Sequence, residues 1–474
     1  MPSSPVYFSI PSASLYQFPP RNDPLPLPPP PPRSSLSAPP FEIPLSLYRS
    51  VLDVRVPITI ACLYAVTVTS LNRYNKSRGN KPWRISRTRA FYWFVVAHNV
   101  LLAVYSAWTF VGMWGALRRT VQNPTGPSGV VATVDSLCKV HGISGLGNAV
   151  TYNPDLAGWV SESPARVHLS EMGTPDPTDL GRLWNEGLAF YGWFFYLSKF
   201  YEVLDTAIIL AKGKKSSTLQ TYHHAGAMMC MWAGIRFMSA PIWVFTFVNS
   251  GIHALMYTYY TLTAFAVPIP QALKRSLTTM QILQFVIGAS YAAIHLFVTY
   301  TVPIQVPDVT ASVASVASAA STVVSAAAAS ATSAGVADLV KKYLFRAAGE
   351  EGLAENVNAP SAAPRAVPQS VAPGQQQYRT EYQTVPCINT SGQTFAIWLN
   401  VLYLAPLTVL FVRFFIRSYI KRTSGKGANY PAQANAAEKA GMDAIKGVER
   451  ELYPNGAANG HANGTAKARM NGTH

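Results

Sequence analysis

The segment QTYHHAGAM, Gln220 to Met228, places two adjacent histidines in an uncharged, helix-forming stretch. Gln220, His223 and His224 are spaced i, i+3 and i+4, so a helix presents all three on one side. A buried imidazole can act as a nucleophile or as a general base. Adjacent side chains on a helix cannot both face one point. We therefore predict that one histidine meets the reactants and that the other contacts a neighbouring helix.

The preceding apolar segment, FYLSKFYEVLDTAIIL, carries ionisable groups that would orient such an imidazole. Lys199, Glu202, Asp205 and Thr206 fall within an arc of roughly 120° on a helix. One cation and two carboxylates on one face can pair with each other or with a neighbouring helix. The alternative is an ion-pair network that only holds the helices together.

Two later apolar segments also contain polar side chains. In NSGIHALMYTYY, Asn249, His253, Tyr257 and Tyr260 lie close to one stripe, and the buried Asn249 and His253 require hydrogen-bond partners. His223 or Asp205 could supply them. In LTTMQILQF the polar residues repeat at i, i+3 and i+6, a spacing that also suits hydrogen bonding between helices: Thr278, Gln281 and Gln284. His98 and His295 are isolated within their segments, and we assign them no role.

The elements that carry these residues are typical of a membrane protein. The chain has 474 residues, of which 49% are hydrophobic and only 13% are charged, whereas soluble proteins carry about a quarter charged residues. A bilayer core requires roughly 20 apolar helical residues. The sequence predicts an all-α membrane protein with a seven-transmembrane-helix bundle, whose spans are Val56–Asn72, Ala90–Leu117, Gly187–Ala211, Thr218–Ile235, Pro241–Ala266, Ser276–Val302 and Thr394–Val412.

The connecting loops predict the orientation, because basic residues collect on the cytosolic side. Basic clusters follow the first, third, fifth and seventh spans, at residues 73–89, 212–215, 274–275 and 413–422. The N-terminus is therefore expected to be luminal and the C-terminus cytosolic. We divide the chain into a Pro-rich disordered N-terminus, spans one to six, a low-complexity luminal insertion, span seven and a disordered cytosolic tail, with the boundaries 1–47, 48–302, 303–392, 393–422 and 423–474.

The four cysteines show no metal-type spacing. Cys62 and Cys230 fall inside predicted spans. Cys138 and Cys387 fall in loops that the orientation places on the oxidising side, where a disulfide between them is one alternative and two unpaired thiols the other.

Two chemistries compete for the polar set. A di-iron membrane desaturase or hydroxylase uses several histidine boxes, and this chain has nine histidines in total, too few of them near the membrane. Acyl or proton-transfer chemistry needs one or two imidazoles and an orienting carboxylate, which the chain supplies. We therefore predict no metal and no cofactor.

The segments KFYEVLDT, QTYHHAGA, NSGIHALMYTYY and TTMQILQF, in this order, resemble the signature segments of the ELO family of very-long-chain fatty-acid elongases. The final segment, CINTSGQTFAIWLNVLYLAPLTVLFVRFFIRSYI, is similar to the last helix of that family. The resemblance covers about residues 50 to 302 and 387 to 422. It implies a multi-pass bundle in the endoplasmic reticulum membrane. It also implies a 3-oxoacyl-CoA synthase that condenses acyl-CoA with malonyl-CoA and releases CO2 and CoA.

The resemblance also implies roles for individual residues. His223 would accept the acyl group as an acyl-imidazole, and His253 would assist decarboxylation or carbanion attack. Asp205 and Glu202 would orient the imidazoles, and Lys199 would balance their charge. His224, adjacent to the nucleophile, is a further catalytic candidate. The supporting residues are Gln220, Asn249, Tyr257, Gln281 and Gln284. Gln220 departs from the His-x-x-His-His pattern usual in the family, and glutamine does not titrate.

Partners follow from the same resemblance. CoA phosphates are expected at basic residues of the cytosolic face, which ordinary positive-inside charge explains equally well: Lys214, Lys215, Lys274 and Arg275. We expect interaction with the lipid bilayer and with the ketoacyl reductase, dehydratase and enoyl reductase of the elongation cycle. Nucleic acid is not an expected partner, and a homodimer is compatible with the sequence. A non-catalytic membrane scaffold is a third hypothesis.

Overall fold

The computed structural model describes residues 6–32, 38–126, 128–142, 146, 150–153, 158–160, 167–170, 174–307 and 378–416. The chain divides into two compact units. The smaller unit comprises Met1–Tyr7, Thr120–Asn185 and Thr299–Val385. The larger unit comprises Phe8–Arg119, Glu186–Val298 and Pro386–His474, and it contains every residue of the predicted catalytic set.

The described part of the chain is mostly helical. Its helices are α1 (Leu45–Val51), α2 (Arg55–Ser77), α3 (Arg89–Thr120), α4 (Gly129–Cys138), α5 (Ala189–Tyr201), α6 (Val203–Ala211), α7 (Thr218–Arg236), α8 (Ile242–Val244), α9 (Ser250–Ala264), α10 (Gln271–His295) and α11 (Ser391–Phe415). Its strands are β1 (Val6–Phe8), β2 (Thr151–Asn153), β3 (Gly158–Val160), β4 (Val298–Pro307) and β5 (Tyr378–Pro386).

Within the part of the chain that the structure describes, three helices are long and apolar enough to cross a membrane: Arg89–Thr120, Gln271–His295 and Ser391–Arg413. The pair α1 and α2, bent by 48°, would add a fourth. The prediction of a helical, multi-pass membrane protein is thus confirmed in this coarser form. The remaining predicted spans coincide with shorter helices or interrupted pairs of helices, so the number seven and the orientation stay predictions.

The helices that position the site begin and end where local sequence dictates. The hydroxyl of Ser217 accepts a hydrogen bond from the backbone N–H of Gln220 at 3.1 Å and caps α7. Thr390 caps α11 in the same way, accepting from Gln393 N–H at 3.2 Å. The predicted third span is interrupted at Glu202, between α5 and α6. The fifth begins with α8 and a π-helical turn, Phe245–Asn249, which leads directly into α9.

The prediction of a sixth span reaching Val302 is wrong at its C-terminal end. Helix α10 ends at His295, and β4 begins at Val298. The sequence VTYTVPIQVP is rich in β-branched residues and contains two prolines, which favours an extended strand over a helix.

The predicted disorder of the N-terminus also needs correction for residues 6–32. This segment carries β1 and a 3-10 turn, Ala13–Tyr16. Its backbone binds the helices of the larger unit. The side chain of Arg236 donates to the carbonyl of Asn22 at 2.8 Å, and the N–H of Arg21 donates to the hydroxyl of Ser391 at 3.0 Å. An extended proline-rich backbone has unused N–H and carbonyl groups, and here Ser391 accepts from one N–H while Arg236 donates to the carbonyls of Asn22 and Pro24.

In the smaller unit a three-stranded sheet has the strand order β1–β4–β5, and β2 pairs with β3 as an antiparallel hairpin. Its core contains a buried polar cluster. Arg182 donates to Asp135 Oδ2 at 2.8 Å, and the hydroxyl of Tyr300 donates to Asp135 Oδ1 at 2.8 Å. Both oxygens of the buried carboxylate are therefore satisfied.

The low-complexity run Thr310–Val340 and the C-terminal tail lie outside the described residues. Cys138 and Cys387 are each disulfide-bonded, whereas Cys62 and Cys230 have free thiols.

Candidate active site

A buried ion pair lies where α5 meets α6. Lys199 Nζ is 2.7 Å from Glu202 Oε1, and the two side chains are 5% and 3% exposed. Ser198 Oγ also donates to Glu202 Oε1 at 3.2 Å. The i, i+3 spacing read from the sequence thus produces the pairing within one helical stretch that it predicts. Charge pairing of this kind is required because an unpaired buried carboxylate would be very costly.

The ion pair continues into a hydrogen-bonded chain across two further helices. Lys199 Nζ donates to Asn249 Oδ1 at 3.3 Å, and Asn249 Nδ2 donates to Gln284 Oε1 at 3.1 Å. His253, one turn after Asn249, places Nδ1 at 3.6 Å from Glu202 Oε1. The predicted partners of Asn249 and His253, namely His223 or Asp205, are therefore wrong for both residues.

His223 is held by a tyrosine of α11. Its Nδ1 is 2.7 Å from the hydroxyl oxygen of Tyr403, and the same hydroxyl donates to the backbone carbonyl of His223 at 2.9 Å. The neighbouring His224 is buried and packs edge-on against Tyr64 of α2, with ring centroids 6.1 Å apart. The two histidines diverge as the sequence predicts, although both line the cavity described below.

Asp205 belongs to a second polar cluster. Its Oδ1 is 2.8 Å from Nε2 of His98 on α3, and its Oδ2 accepts a hydrogen bond from the Tyr257 hydroxyl at 2.6 Å. Nδ1 of His98 is 3.3 Å from the hydroxyl of Tyr201. Asp205 is thus bonded to His98 and Tyr257 rather than to either histidine of α7.

Sequence reasoning missed both Tyr403 and His98. Tyr403 lies in the final helix, where an aromatic residue reads as ordinary packing. His98 is the lone histidine of its helix, and packing against α6 gives it a partner 107 residues away. The one available signal was the cost of burying an isolated imidazole, which implies a partner without identifying it.

Gln220, the residue that differs from the usual family pattern, uses its side-chain amide for a contact between α7 and α6. Gln220 Nε2 donates to Thr206 Oγ1 at 3.3 Å, and the hydroxyl of Tyr64 is 2.9 Å from the same oxygen. Gln281 Nε2 lies 3.3 Å from the sulfur of Met256. These amides link neighbouring helices around the site.

The predicted residues surround a common cavity of about 250 Å³. Its wall includes Glu202, Asp205, Gln220, His223, His224, Asn249, His253, Tyr257, Lys274, Gln281 and Gln284. Of the four basic candidates for CoA phosphates, Lys274 lines this cavity, and Lys214, Lys215 and Arg275 lie outside its wall.

A smaller cavity of about 40 Å³ shares part of that wall. His223, Asn249, Gln284 and Phe285 line both cavities, and Lys199 lines the smaller one. Most of its other lining residues are apolar, among them Phe195, Met231, Val244, Phe245 and Leu404. His223 therefore stands between a polar cavity and a mainly apolar one.

The fold and this site together define a helical membrane protein of the multi-pass class whose helices enclose a histidine-containing polar cavity. The chain belongs to the ELO family, described as the GNS1/SUR4 family, whose family model matches residues 50–427. The resemblance seen in the four ordered sequence segments is thereby confirmed.

Individual relatives match over shorter stretches. The chain is 37% identical over 105 residues to very long chain fatty acid elongase 3 of Homo sapiens, covering 22% of this chain and 39% of that protein. It is 29% identical over 148 residues to fatty acid elongase 2 of Trypanosoma brucei brucei, covering 30% and 55%. It is 27% identical over 157 residues to very long chain fatty acid elongase 1 of Homo sapiens, covering 32% and 53%. The matches thus span between about two fifths and just over half of these relatives. No solved structure matches the chain.

Proposed function

We propose that this protein is the condensing enzyme of a fatty-acid elongation system, joining a long-chain acyl-CoA to malonyl-CoA to give 3-oxoacyl-CoA, CO2 and CoA. The observation that carries the proposal is the position of His223. It lies on α7, in the wall shared by a polar cavity and a mainly apolar one, and the buried pair Lys199–Glu202 lies on the preceding helical stretch. The names of the relatives, which are fatty-acid elongases, agree with this substrate class.

In the first half-reaction the His223 imidazole attacks the thioester carbonyl of acyl-CoA, and the thiolate of CoA departs. An acyl-imidazole is readily hydrolysed in water, so a buried site protects it. The smaller cavity, walled by Phe195, Phe245 and Leu404, suits the methylene groups next to the carbonyl. Lys274, in the wall of the larger cavity, is the basic residue that we assign to the CoA phosphates.

In the second half-reaction malonyl-CoA loses CO2, and the resulting carbanion attacks the acyl carbon and releases His223. His253 is the group that we assign to this step, because it lines the polar cavity and its Nδ1 faces Glu202 at 3.6 Å. The buried Glu202 holds the ring orientation, and Lys199 balances the carboxylate. Asp205, with His98 and Tyr257, supports the opposite part of the wall.

The chemistry is tested by supplying purified protein with acyl-CoA and radiolabelled malonyl-CoA and measuring 3-oxoacyl product. We expect product from the wild type and none from His223→Ala. The matched control is His168→Ala, which removes an exposed histidine of the smaller unit, paired with Asp179, and should retain activity. Absence of product at every chain length, or full activity in His223→Ala, would refute the mechanism. Iron-dependent oxygen consumption would favour the desaturase alternative instead.

The same proposal places the chain in the endoplasmic reticulum membrane, with its N-terminus luminal, its C-terminus cytosolic, and the other enzymes of the elongation cycle as partners. Two glycosylation sequons test the orientation. Asn389 is expected on the luminal side, and Asn463, outside the described residues, on the cytosolic side. Glycan attached at Asn463 would reverse the orientation.

A further inference from the structure

One hydroxyl group contacts two atoms of the same histidine. Tyr403 Oη lies 2.7 Å from Nδ1 of His223 and 2.9 Å from the backbone oxygen of His223. The two rings are nearly parallel, at 13°. The tyrosine ring also lies directly against the backbone of α7 at Gly226, where an added β-carbon would be 2.2 Å from Tyr403 Cε2. The position of this hydroxyl is thus set by close packing of α11 against α7.

The two contacts together determine where the protons are. A tyrosine hydroxyl has one hydrogen, and a backbone carbonyl can only accept. The contact with the carbonyl therefore uses the hydroxyl hydrogen. The contact with the ring is then a hydrogen bond only if Nδ1 carries a proton and donates it to the hydroxyl oxygen. The opposite arrangement would leave two acceptor oxygens facing each other at 2.9 Å without a hydrogen between them.

We propose that Tyr403 is a positioning residue that holds His223 in the Nδ1–H tautomer and so presents the unprotonated Nε2 as the nucleophile. This inference rests on the proposed function, in which His223 accepts the acyl group. It adds the atom that reacts and the residue that selects it. Neutral imidazole exchanges between two tautomers, and only the one with a lone pair on the reacting nitrogen is nucleophilic.

The assignment gives a balanced reaction. Nε2 attacks the thioester carbonyl carbon, the carbon–sulfur bond breaks, and the thiolate of CoA leaves and takes a proton from solvent. The acylated ring is positively charged and retains its Nδ1 proton, donated to the Tyr403 oxygen. Attack by the carbanion formed from malonyl-CoA then breaks the Nε2–acyl bond and returns the neutral Nδ1–H ring. The Nδ1 proton stays in place throughout, so a hydroxyl that neither gains nor loses a proton suffices there.

The test compares Tyr403→Phe with Tyr222→Phe in the full-length protein. The first variant removes the hydroxyl and keeps the ring. The matched control removes a neighbouring tyrosine hydroxyl, which donates to the backbone oxygen of Tyr403 at 3.2 Å and does not contact the His223 ring. Three quantities are measured: the single-turnover rate of CoA release from acyl-CoA, the KM for acyl-CoA, and the nitrogen NMR spectrum of ¹⁵N-histidine-labelled protein, with the His223 signals assigned from His223→Gln.

We expect Tyr403→Phe to lower the rate of acylation by roughly 2- to 10-fold, the scale of one lost neutral hydrogen bond, with KM nearly unchanged. We expect wild-type His223 to show a protonated Nδ1 and an unprotonated Nε2, Tyr403→Phe to show a mixture of tautomers, and Tyr222→Phe to match the wild type. Loss of packing alone would not change the tautomer signal.

A protonated Nε2 in the wild type would overturn the inference, as would wild-type acylation and an unchanged spectrum in Tyr403→Phe. If Tyr403→Phe does not fold, the wild-type spectrum still decides the tautomer. If the wild type releases no CoA but shows the Tyr403-dependent Nδ1–H signal, the proposed function fails while the tautomer assignment stands.

Discussion

Replacing Lys199 with methionine is the sharpest test of whether the site is a charged network buried inside the protein. The substitution keeps an apolar stem of similar length and removes the cation that lies 2.7 Å from Glu202 Oε1. That oxygen would then keep the Ser198 hydroxyl at 3.2 Å and the imidazole of His253 at 3.6 Å as polar contacts.

The expected cost follows from the burial of both partners. Their side chains are 5% and 3% exposed, so solvent cannot replace the lost charge. Removing one partner of a buried pair costs about 3–5 kcal/mol, whereas replacing both partners with uncharged groups is often nearly neutral. We therefore expect Lys199→Met to lose about 3–5 kcal/mol of unfolding free energy, and Lys199→Met/Glu202→Gln to recover most of it.

The assay is reversible unfolding of the purified protein in mixed micelles, applied to both single variants and the double variant. The double-mutant cycle isolates the coupling between the two residues. Elongation activity, measured in parallel, should stay low in the double variant despite its recovered stability. A loss below about 1 kcal/mol in Lys199→Met would mean that Glu202 is not held as a buried carboxylate, and the electrostatic account of the site would then be refuted.

Three further outcomes are expected. Gly226→Ala should destabilise the protein by about 1–3 kcal/mol and lower activity, because its β-carbon would collide with the Tyr403 ring at 2.2 Å; thermal unfolding and product formation measure this. His98→Gln should lower kcat about 10-fold with little change in melting temperature, because Asp205 loses an imidazole partner at 2.8 Å while glutamine keeps a donor. Burial, together with the nearby charges of Lys139 and Arg182, lowers the pKa of His141 from 6.5 to about 4, so the unfolded state binds a proton that the folded state does not. The free energy of unfolding should therefore be unaffected above pH 6.5 and fall by at most about 3 kcal/mol towards pH 4. Unfolding measurements should find this loss absent in His141→Gln.

Each of these outcomes has a clear contrary result. A Gly226→Ala protein as stable and active as the wild type would mean that α7 and α11 are not in close contact at this point. Unchanged kinetics in His98→Gln would reduce the Asp205 cluster to a packing role. Equal acid sensitivity in His141→Gln and the wild type would assign the acid loss to other groups.

The parts of the site that the sequence predicts well are those that one helix carries. The spacing of Lys199 and Glu202 is sufficient to predict their ion pair, because residues three apart meet on a helix surface. The divergence of His223 and His224 follows from the same geometry. Contacts between helices are different in kind, because the pairing of His223 with Tyr403 depends on how two helices 180 residues apart pack.

The fold shows the same division. Hydropathy locates helical segments well, since a bilayer-length apolar run has few alternative structures. It fails at Val298–Val302, where apolar β-branched residues continue a hydrophobic run but leave the helix for β4. It also gives no information on residues 6–32, whose order comes from hydrogen bonds to Arg236 and Ser391 rather than from any propensity of their own.

The π-helical turn Phe245–Asn249 gives the helix that contains it an unequal tolerance of changes in length. A π turn accommodates one residue more than an α-helical turn at almost the same rotation about the helix axis. Deleting one residue of this turn ahead of Asn249 would therefore restore regular helix and leave the side chains of α9 almost in phase with α8. Deleting one residue of α9 between Asn249 and His253 would instead turn His253 by about 100° away from Glu202, although no contacting side chain had been replaced. The helix thus has one place where its length can change without altering the wall that it contributes to the cavity.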